Sequence, residues 1–323
     1  VLLRDVRAEF GSHVLWDVYD REIAFRGNFA GASDVIRLMA LEPEGGRYSD
    51  LDYLPALVAE MAGVNISEYT FEQRLGTLQL LLNHNPDFMP GRDRNRYRSY
   101  LDDIPAEHRS ALEDYPKSHP SIVDVFVPAA EVQIPVDGLM LGRGYDTPGS
   151  VMNAYMMAHP ESGMVKASLN LIRLAYDAIF EIEKSLAEKG ALWSGGSVAD
   201  VASDIVNRQI EGSPYRDFLT QAYSAKLVKA IVYYHLDGVH PEANGTVTLS
   251  GPGAVMFGRD VFAQVQGLLE GTIDLENRLR LDGGYNRATE EETISGWVEQ
   301  ERGFVAWLEK ERANWLEGRY KAR

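Results

Sequence analysis

Apolar residues recur three and four positions apart over several long stretches of the chain, which predicts a mainly helical protein. The clearest stretch runs from Gly163 to Gly190, and one face of its helix carries Val165, Leu169, Ile172, Tyr176, Ile179 and Leu186. The same spacing predicts helices over Leu54–Met61, Phe71–Leu82, Tyr215–Tyr234 and Val261–Leu269, and a last helix that carries Trp297, Phe304, Leu308 and Trp315. In the Tyr215–Tyr234 helix, we expect the inward positions to be Phe218, Ala222, Ala225, Val228 and Val232.

The pattern changes between about Pro86 and Pro160. Many prolines and glycines, the apolar run Ile122–Val127 and the segment Gly142–Gly149 predict long loops with at most a short pair of strands. We therefore divide the chain into a helix-and-loop amino-terminal portion, 1–160, and a helical cofactor- and substrate-binding portion, 161–323. The predicted fold class is all-α.

Charge narrows the range of partners. The 323 residues include 48 acidic and 32 basic side chains, which gives a formal net charge of −16. A surface of this sign repels phosphate backbones and anionic membranes, so we expect neither nucleic acid nor a membrane as partner. The chain has no cysteine, which excludes disulfides, thiolate metal ligands and a cysteine nucleophile. A cytoplasmic location is expected, and the sequence is compatible with a homo-oligomer.

The most informative local feature is a turn of small residues that opens onto a helix, Leu249-Ser250-Gly251-Pro252-Gly253-Ala254-Val255. Glycines let a backbone approach a ligand closely, and Ser250 can cap the helix that follows. Phe257 and Arg259 lie in the first turns of that helix. The turn therefore predicts a ligand-binding junction between two helices.

The order of these elements resembles the haem-dependent tryptophan and indoleamine 2,3-dioxygenase superfamily, and most closely its pyrrolnitrin-pathway branch. The resemblance is strongest over Gly163–Glu270. Its members carry a Ser/Gly-rich turn over the distal face of the haem, which the Leu249–Val255 run resembles. The helix Arg173–Phe180 is similar to the one that carries a distal histidine and a tyrosine, with Arg173 in the histidine position and Tyr176 in the tyrosine position.

This resemblance implies an all-α bundle of the indoleamine/tryptophan dioxygenase type. The cofactor would be haem, the substrates an aromatic amino acid, tryptophan- or tyrosine-like, and O₂, and the setting specialised metabolism. The catalytic residues would be Ser250, Arg173 and Tyr176, with Gly251 and Gly253 against the haem. Arg259 would hold the substrate carboxylate through a two-point contact, beside Phe257 and Ala254.

The iron ligand departs from the family pattern, because no histidine follows His240. His235 and His240 bracket the exit from the helix before the turn and are the best candidates for binding the metal through this chain. Two alternatives stay open. His235, Asp237 and His240 contain the residue types of a non-haem iron site. A haem-free relative would instead bind a small aromatic ligand or a protein partner.

Overall fold

The computed structural model describes residues 4–50, 57–84, 99–119, 121–126, 134, 136–143, 151–190, 195–235 and 245–266. These residues form two compact units. The first unit contains the described residues up to Tyr48 and those from Ile134 to Gln266, and the second contains those from Ser49 to Phe126. No helix in these ranges is both long and apolar enough to cross a membrane.

Helices form most of the first unit. They are α1 (Val6–Phe10), α2 (Trp16–Asp20), a π-helical turn (Arg21–Arg26), α3 (Phe29–Glu44), α6 (Gly163–Glu188), α7 (Gly195–Glu211), α8 (Arg216–Ala222), α9 (Ser224–His235), α10 (Val247–Leu249) and α11 (Pro252–Gln266). The helix α6 is the central element, and it packs against α3, α7 and α11. Its buried side chains include Ile172, Tyr176 and Ile179, each with no exposed surface.

A small sheet completes this unit. Its strand order is β1-β5-β4, with β1 at Gly46–Ser49, β4 at Leu139–Arg143 and β5 at Val151–Ala158. Strands β4 and β5 are antiparallel, with Leu139 opposite Ala158 and a register shift between Leu141 and Gly142. Because β5 is the central strand and is largely buried, its side chains face packed elements.

The second unit has its own apolar core. Its elements are the short antiparallel strands β2 (Glu60–Met61) and β3 (Val64–Asn65) and the helices α4 (Phe71–Asn83) and α5 (Ala106–Ser118). Three short 3₁₀ turns connect them, at Ile66–Glu68, Leu101–Asp103 and Ile122–Val125. The core is formed by side chains such as Met61, Ile66, Leu81 and Leu112.

Several predicted elements are confirmed. The Gly163–Gly190 pattern forms α6, the Phe71–Leu82 pattern forms α4, and one strand pair, β4 with β5, occurs in the loop-rich region. The Leu54–Met61 helix is wrong over its described residues, where Leu57 makes a β-bridge and Glu60–Met61 is a strand. The last predicted helix lies outside the described residues.

The predicted Tyr215–Tyr234 helix is broken into α8 and α9 at Tyr223. Its predicted inward face is confirmed only in part, because Phe218, Val228 and Val232 are half-buried and pack against the core. The fully buried positions are Leu219, Tyr223, Leu227 and Ile231, whereas Ala225 is exposed. The buried positions follow one another at intervals of four residues through the break, so the same stripe continues from α8 into α9.

The all-α bundle of the dioxygenase type is contradicted. The first unit contains a three-stranded sheet beside its helices, and the second unit holds a further strand pair, so the fold is mixed α/β with helices in the majority. The sequence analysis expected at most one short strand pair, and it missed β1, β2 and β3, which are two to four residues long. The functional boundary at residue 160 stays a prediction.

The crossing of α6 and α11 depends on Gly258. A Cβ added there would lie 2.3 Å from Ser168 Oγ and 2.5 Å from Ser168 Cα. The clash with α6 backbone cannot be relieved by a side-chain rotation, so Gly258→Ala should destabilise the protein by about 1–3 kcal/mol. Urea unfolding followed by circular dichroism measures this. Gly212→Ala is the matched control, because the nearest atom to its Cβ, Gln209 O, is 3.7 Å away. Equal stability of the two variants would contradict the close crossing.

Candidate functional site

Three buried polar side chains meet where α3 packs on the central strand. Asn153 on β5 donates a hydrogen bond from Nδ2 to Asp34 Oδ1 at 2.8 Å, and Arg37 donates from Nη1 to the Asn153 carbonyl at 2.6 Å. Arg37 Nη2 also lies 3.4 Å from Asp34 Oδ1. All three residues are less than 8% exposed: 6% for Asp34, 6% for Arg37 and 7% for Asn153. A carboxylate and a guanidinium are thus held side by side in a place where apolar residues would be expected.

The guanidinium of Arg37 is held by further contacts. Its Nε donates to the Ser33 carbonyl at 3.1 Å and its Nη2 to Ser33 Oγ at 2.8 Å. Its Cζ lies 4.6 Å from the centroid of the Tyr48 ring, which is a cation–π distance. Because Tyr48 belongs to β1, the outer strand next to β5, Arg37 touches two of the three strands.

The sequence of α3 explains this placement. Asn28 caps the helix by accepting a hydrogen bond from the Gly31 N–H at 3.0 Å. Val35, Leu38 and Met39 form its apolar stripe, and each is fully buried. Asp34 and Arg37, three residues apart, lie on the margin of that stripe and are therefore carried into the interior together.

The turn predicted from the small residues lies directly against Asp34. A Cβ on Gly251 would be 3.1 Å from Asp34 Oδ2 and 3.0 Å from Val247 Cα. Only a glycine fits there without displacing the carboxylate. The turn was correctly recognised as a place of close backbone approach, and the group it approaches in this structure is a side chain of the same protein.

A second buried cluster joins the amino-terminal segment to α6 and α9. Arg21 donates to both oxygens of Glu183, at 2.9 Å from Nη1 and 2.5 Å from Nη2, and both side chains are completely buried. His235 Nε2 lies 2.9 Å from Glu183 Oε1. Burial alone would raise the pKa of Glu183, but the charge of Arg21 and the contact with His235 outweigh it and lower the pKa to about 2.

Tyr234 links this cluster to Glu22. Its hydroxyl accepts from Arg21 Nε at 2.9 Å and donates to Glu22 Oε1 at 2.6 Å. Burial is the largest cause of the raised pKa of Tyr234. Burial also raises the pKa of Tyr176 well above its usual value, and the charge of Glu22 adds to this effect. These phenols stay neutral hydrogen-bonding groups and do not serve as bases near neutral pH.

Some of the residues predicted to act at the turn do lie around it. Ser250 and Ala254 have no exposed surface, and Tyr176 is also fully buried. Gly253 is close to the backbone of the preceding helical turn, where its Cβ would lie 2.7 Å from Val247 O. Phe257 is buried and packs on the Tyr223 ring, with centroids 4.7 Å apart. Any direct part that Ser250 or Tyr176 plays in a reaction stays a prediction.

Arg173, predicted as a catalytic residue, and Arg259, predicted to hold the substrate carboxylate, both pair with acidic residues in this structure. Arg173 donates to Asp17 Oδ1 at 2.7 Å and forms a second ion pair with Asp177, Nη2 to Oδ1, at 2.6 Å. Arg259 donates through Nε and Nη2 to its neighbour Asp260, at 3.0 and 2.7 Å. Neither guanidinium contacts the buried group formed by Asp34, Arg37 and Asn153, which we call the Asp34 cluster.

The predicted metal ligands are not supported. Both ring nitrogens of His235 face acceptors, Nδ1 the Ile231 carbonyl at 2.8 Å and Nε2 the Glu183 carboxylate, so no lone pair is directed at a metal. His240 and Asp237 lie outside the described residues. Within the described ranges, no three His, Cys, Asp or Glu side chains gather into a metal site. Of the three predicted non-haem iron ligands, the structure describes His235 alone, and both of its ring nitrogens are engaged.

Sequence reasoning missed Asp34, Arg37 and Asn153. A usable signal was present, because the carboxylate of Asp34 and the guanidinium of Arg37 lie three residues apart beside the apolar positions of α3. Charged residues on the buried side of a helix must be paired, and buried pairs occur often at functional sites. A second signal was the pair of carboxylates in Asp50-Leu51-Asp52, directly after the strand that carries Tyr48, because carboxylates are usual ligands of divalent cations.

Comparison with known proteins identifies the class. The family model of the TcdA/TcdB catalytic glycosyltransferase domain matches residues 1–249, which is most of the chain. The chain therefore belongs to the TcdA/TcdB glycosyltransferase-domain family.

Individual relatives agree with this assignment. Toxin A of Clostridium novyi is 22% identical over 249 residues, which cover 72% of this chain and 10% of the toxin. Toxin B of Clostridioides difficile is 22% identical over 332 residues, covering 97% of this chain and 13% of the toxin. The chain thus spans only a small part of these curated relatives.

Solved structures share the fold. The UDP-bound glycosyltransferase domain from the YGT toxin has a TM-score of 0.60 at 18% identity, covering 90% of this chain and 54% of that one. The catalytic domain of α-toxin from Clostridium novyi has a TM-score of 0.58 at 20% identity, covering 96% of this chain and 55% of that one.

These findings correct the interpretation based on the dioxygenase resemblance. The chain is not a haem dioxygenase, and neither an oxygenase activity nor an aromatic amino acid with O₂ as substrates is supported. The haem roles of His235, His240, Gly251 and Gly253 fall with the cofactor. The haem-free alternative, a small-aromatic or partner-binding relative, does not fit either. The cytoplasmic location stays a prediction.

The Arg21–Glu183 pair predicts how stability depends on pH. The folded pKa of Glu183, about 2, lies below the ordinary carboxyl value of 4.5, so its stabilisation is present above pH 4.5 and is lost as the pH falls towards 2. This one proton gives a slope of up to about 1.4 kcal/mol per pH unit. Urea unfolding between pH 2 and 7 measures it.

Glu183→Gln should be less stable at pH 7 by about 3–5 kcal/mol, because Arg21 would keep a buried charge without a counter-ion. It should also lack this component of the pH dependence. Glu188→Gln, on the same helix and 66% exposed, should retain it. An unchanged pH profile in Glu183→Gln would show that the acid sensitivity arises elsewhere.

Proposed function

We propose that this domain transfers a sugar from a nucleoside-diphosphate donor, with UDP as the nucleotide, to a hydroxyl group of an acceptor. The observation that carries the proposal is the family match over residues 1–249. The UDP-bound relative supports UDP as the nucleotide of the donor.

The Asp34 cluster fits the needs of such a donor. A sugar offers several hydroxyl donors, which an ionised carboxylate accepts in charge-assisted hydrogen bonds. A departing diphosphate gains negative charge, which a fixed guanidinium stabilises. Asp34 and Arg37 supply these groups, and Asn153 holds both in place. Preorganisation of this kind is most effective in a water-poor site, and these side chains are buried.

In the proposed reaction, the bond between the anomeric carbon and the diphosphate oxygen breaks, and a bond from that carbon to the acceptor oxygen forms. UDP leaves with the bonding electron pair, and the acceptor hydroxyl transfers its proton to the departing diphosphate oxygen. Asp34 orients the sugar through its hydroxyls, and Arg37 offsets the charge that develops on the leaving group. With water as the acceptor, the same chemistry hydrolyses the donor.

Exposed apolar residues near the turn suit the nucleoside. Phe29 is 50% exposed and Val247 is 56% exposed. Each directly follows one partner of the hydrogen bond between Asn28 Nδ2 and Thr246 Oγ1. We assign Phe29 to contact with the flat base, since an aromatic ring gives stacking area with little loss of conformational freedom.

A divalent cation fits this chemistry. Mg²⁺ at nucleotide sites is usually held by one or two carboxylates together with substrate phosphates. Asp50 follows β1 directly and is partly buried, and Asp52, outside the described residues, is a second carboxylate in the sequence. Asp50 would supply a carboxylate to the ion, which when bound would neutralise charge on the diphosphate.

The first test of this function is donor hydrolysis. The purified chain is incubated with UDP-glucose, UDP-N-acetylglucosamine and UDP-galactose, and released UDP is measured. Asp34→Asn should lower kcat/KM by about 100-fold or more, because the neutral amide loses the charge-assisted contacts. Arg37→Lys should also reduce it, because lysine cannot reproduce the planar contacts of arginine.

Surface substitutions serve as matched controls. Asp177→Asn changes a carboxylate on α6, and Arg208→Lys changes a guanidinium that is 61% exposed on α7. Both should keep the wild-type rate. If Asp34→Asn hydrolyses donor as fast as these controls, the assignment of Asp34 is wrong. A folded wild-type chain that neither hydrolyses any of the three donors nor binds UDP would overturn the proposed function.

Cation dependence is the second test. Turnover should cease in EDTA and return on addition of Mg²⁺ or Mn²⁺. Asp50→Asn should need at least about tenfold more cation for half-maximal rate, because it loses one charged oxygen ligand. The exposed substitution Asp204→Asn should leave the requirement unchanged. Full activity in EDTA would remove the cation from the proposal.

A further inference from the structure

We propose that Asn28 is a positioning residue of the donor site, and that its contacts with Glu22 and Thr246 fix the place of Asp34. The inference rests on the proposed function, since Asp34 is taken to contact the donor. Asn28 itself is 1% exposed and is not assigned to touch the substrate. It acts by joining the two chain segments that lie against Asp34.

Every hydrogen-bonding group of the Asn28 side chain is used. Its Oδ1 accepts from the Gly31 N–H at 3.0 Å. Its Nδ2 donates to Glu22 Oε2 at 2.7 Å and to Thr246 Oγ1 at 2.9 Å. An amide offers two donor hydrogens and one acceptor oxygen, so this arrangement satisfies the side chain. Rotation of the amide would place its oxygen against the Glu22 carboxylate, and the contacts therefore specify one orientation.

Glu22 is held equally well. It has no exposed surface, and its other oxygen accepts from the Tyr234 hydroxyl at 2.6 Å. Space for the contact between Glu22 and Asn28 comes from Gly31. A Cβ at that position would lie 2.6 Å from Asn28 Nδ2 and 2.9 Å from Glu22 Oε2. The glycine in the first turn of α3 thus belongs to the same arrangement.

Thr246 carries the link to the turn. Its carbonyl accepts from the N–H groups of Ser250 at 3.0 Å and Gly251 at 2.9 Å. Gly251 in turn lies against Asp34, at the 3.1 Å distance from its Cβ position to Oδ2. Asp34 therefore sits on a helix capped by Asn28 and beside a turn anchored through Asn28. A buried, satisfied network of this kind makes such an arrangement rigid.

The hydroxyl of Thr246 provides the test. Thr246→Val keeps the branched shape and the backbone carbonyl but removes the acceptor for Asn28, whereas Thr246→Ser keeps the hydroxyl. We expect Thr246→Val to raise the KM for UDP-sugar by about tenfold, since one hydrogen bond of a buried network is lost. Thr246→Ser should restore a value near wild type. Thr248→Val, two residues along the same turn, is the matched control and should match wild type.

If the Thr246 hydroxyl only stabilised the fold, Thr246→Val would lower the melting temperature and leave the KM for donor unchanged. Melting temperatures are measured for all variants, and kinetics are recorded well below the lowest of them. Asn28→Asp gives an independent check, because aspartate keeps the cap acceptor but loses both amide donors; it should also raise the KM for donor. If Thr246→Val keeps the wild-type KM, or if Thr246→Ser loses as much as Thr246→Val, the positioning role is wrong.

The outcome separates this inference from the proposed function. An active wild type whose Thr246→Val variant behaves like Thr248→Val overturns the positioning role alone. A folded wild type that hydrolyses no UDP-sugar and binds no UDP overturns the proposed function, and the positioning role falls with it.

Discussion

The buried ion pair between Arg21 and Glu183 is the constraint on which the first unit depends. Both side chains are completely removed from solvent, and transferring two such charges from water costs several kcal/mol each. Two-point geometry, the Tyr234 hydroxyl and His235 offset that cost. Arg21 also lies over the rings of Phe25 and Phe180, with Cζ 4.5 and 5.3 Å from their centroids. Only one arrangement of the amino-terminal segment against α6 and α9 satisfies all of these contacts.

This constraint reaches the candidate site through a continuous path. The π-helical turn that carries Arg21 also carries Glu22, and Glu22 binds Asn28 at the start of α3. The helix then delivers Asp34 and Arg37 to the central strand. Fixing the beginning of a helix sets the position of every side chain along it, since each residue rises by about 1.5 Å and turns by a set angle. The positions of Asp34 and Arg37 thus depend on the Arg21–Glu183 ion pair, which lies outside the candidate site.

Local periodicity predicted α4 and α6, whose stabilisation is mostly apolar, but α3, α5 and α7 were not predicted. The helix α6 follows its hydrophobic stripe closely, and so does α4, because burial of one face decides their conformation. The strands β1, β4 and β5 were not predicted as a sheet, since pairing of β1 with β5 joins segments about a hundred residues apart and leaves little trace in either sequence. The Asp34 cluster was missed for a related reason. Its function depends on Asn153 from a distant strand, and no local spacing shows that the two meet.

The Ser250-Gly251 turn shows why a correct local inference led to a wrong family. Small residues before a helix indicate close backbone approach, and Gly251 does make such an approach. The same local geometry can serve a haem, a phosphate or a side chain, because it removes steric bulk without specifying what fills the space. Here the space is filled by the Asp34 carboxylate, on a helix more than two hundred residues earlier in the chain. The turn packs against the Asp34 carboxylate, which is held in position by α3 and by Asn153 on β5. The group that the turn contacts is therefore determined by these two elements and not by the turn itself.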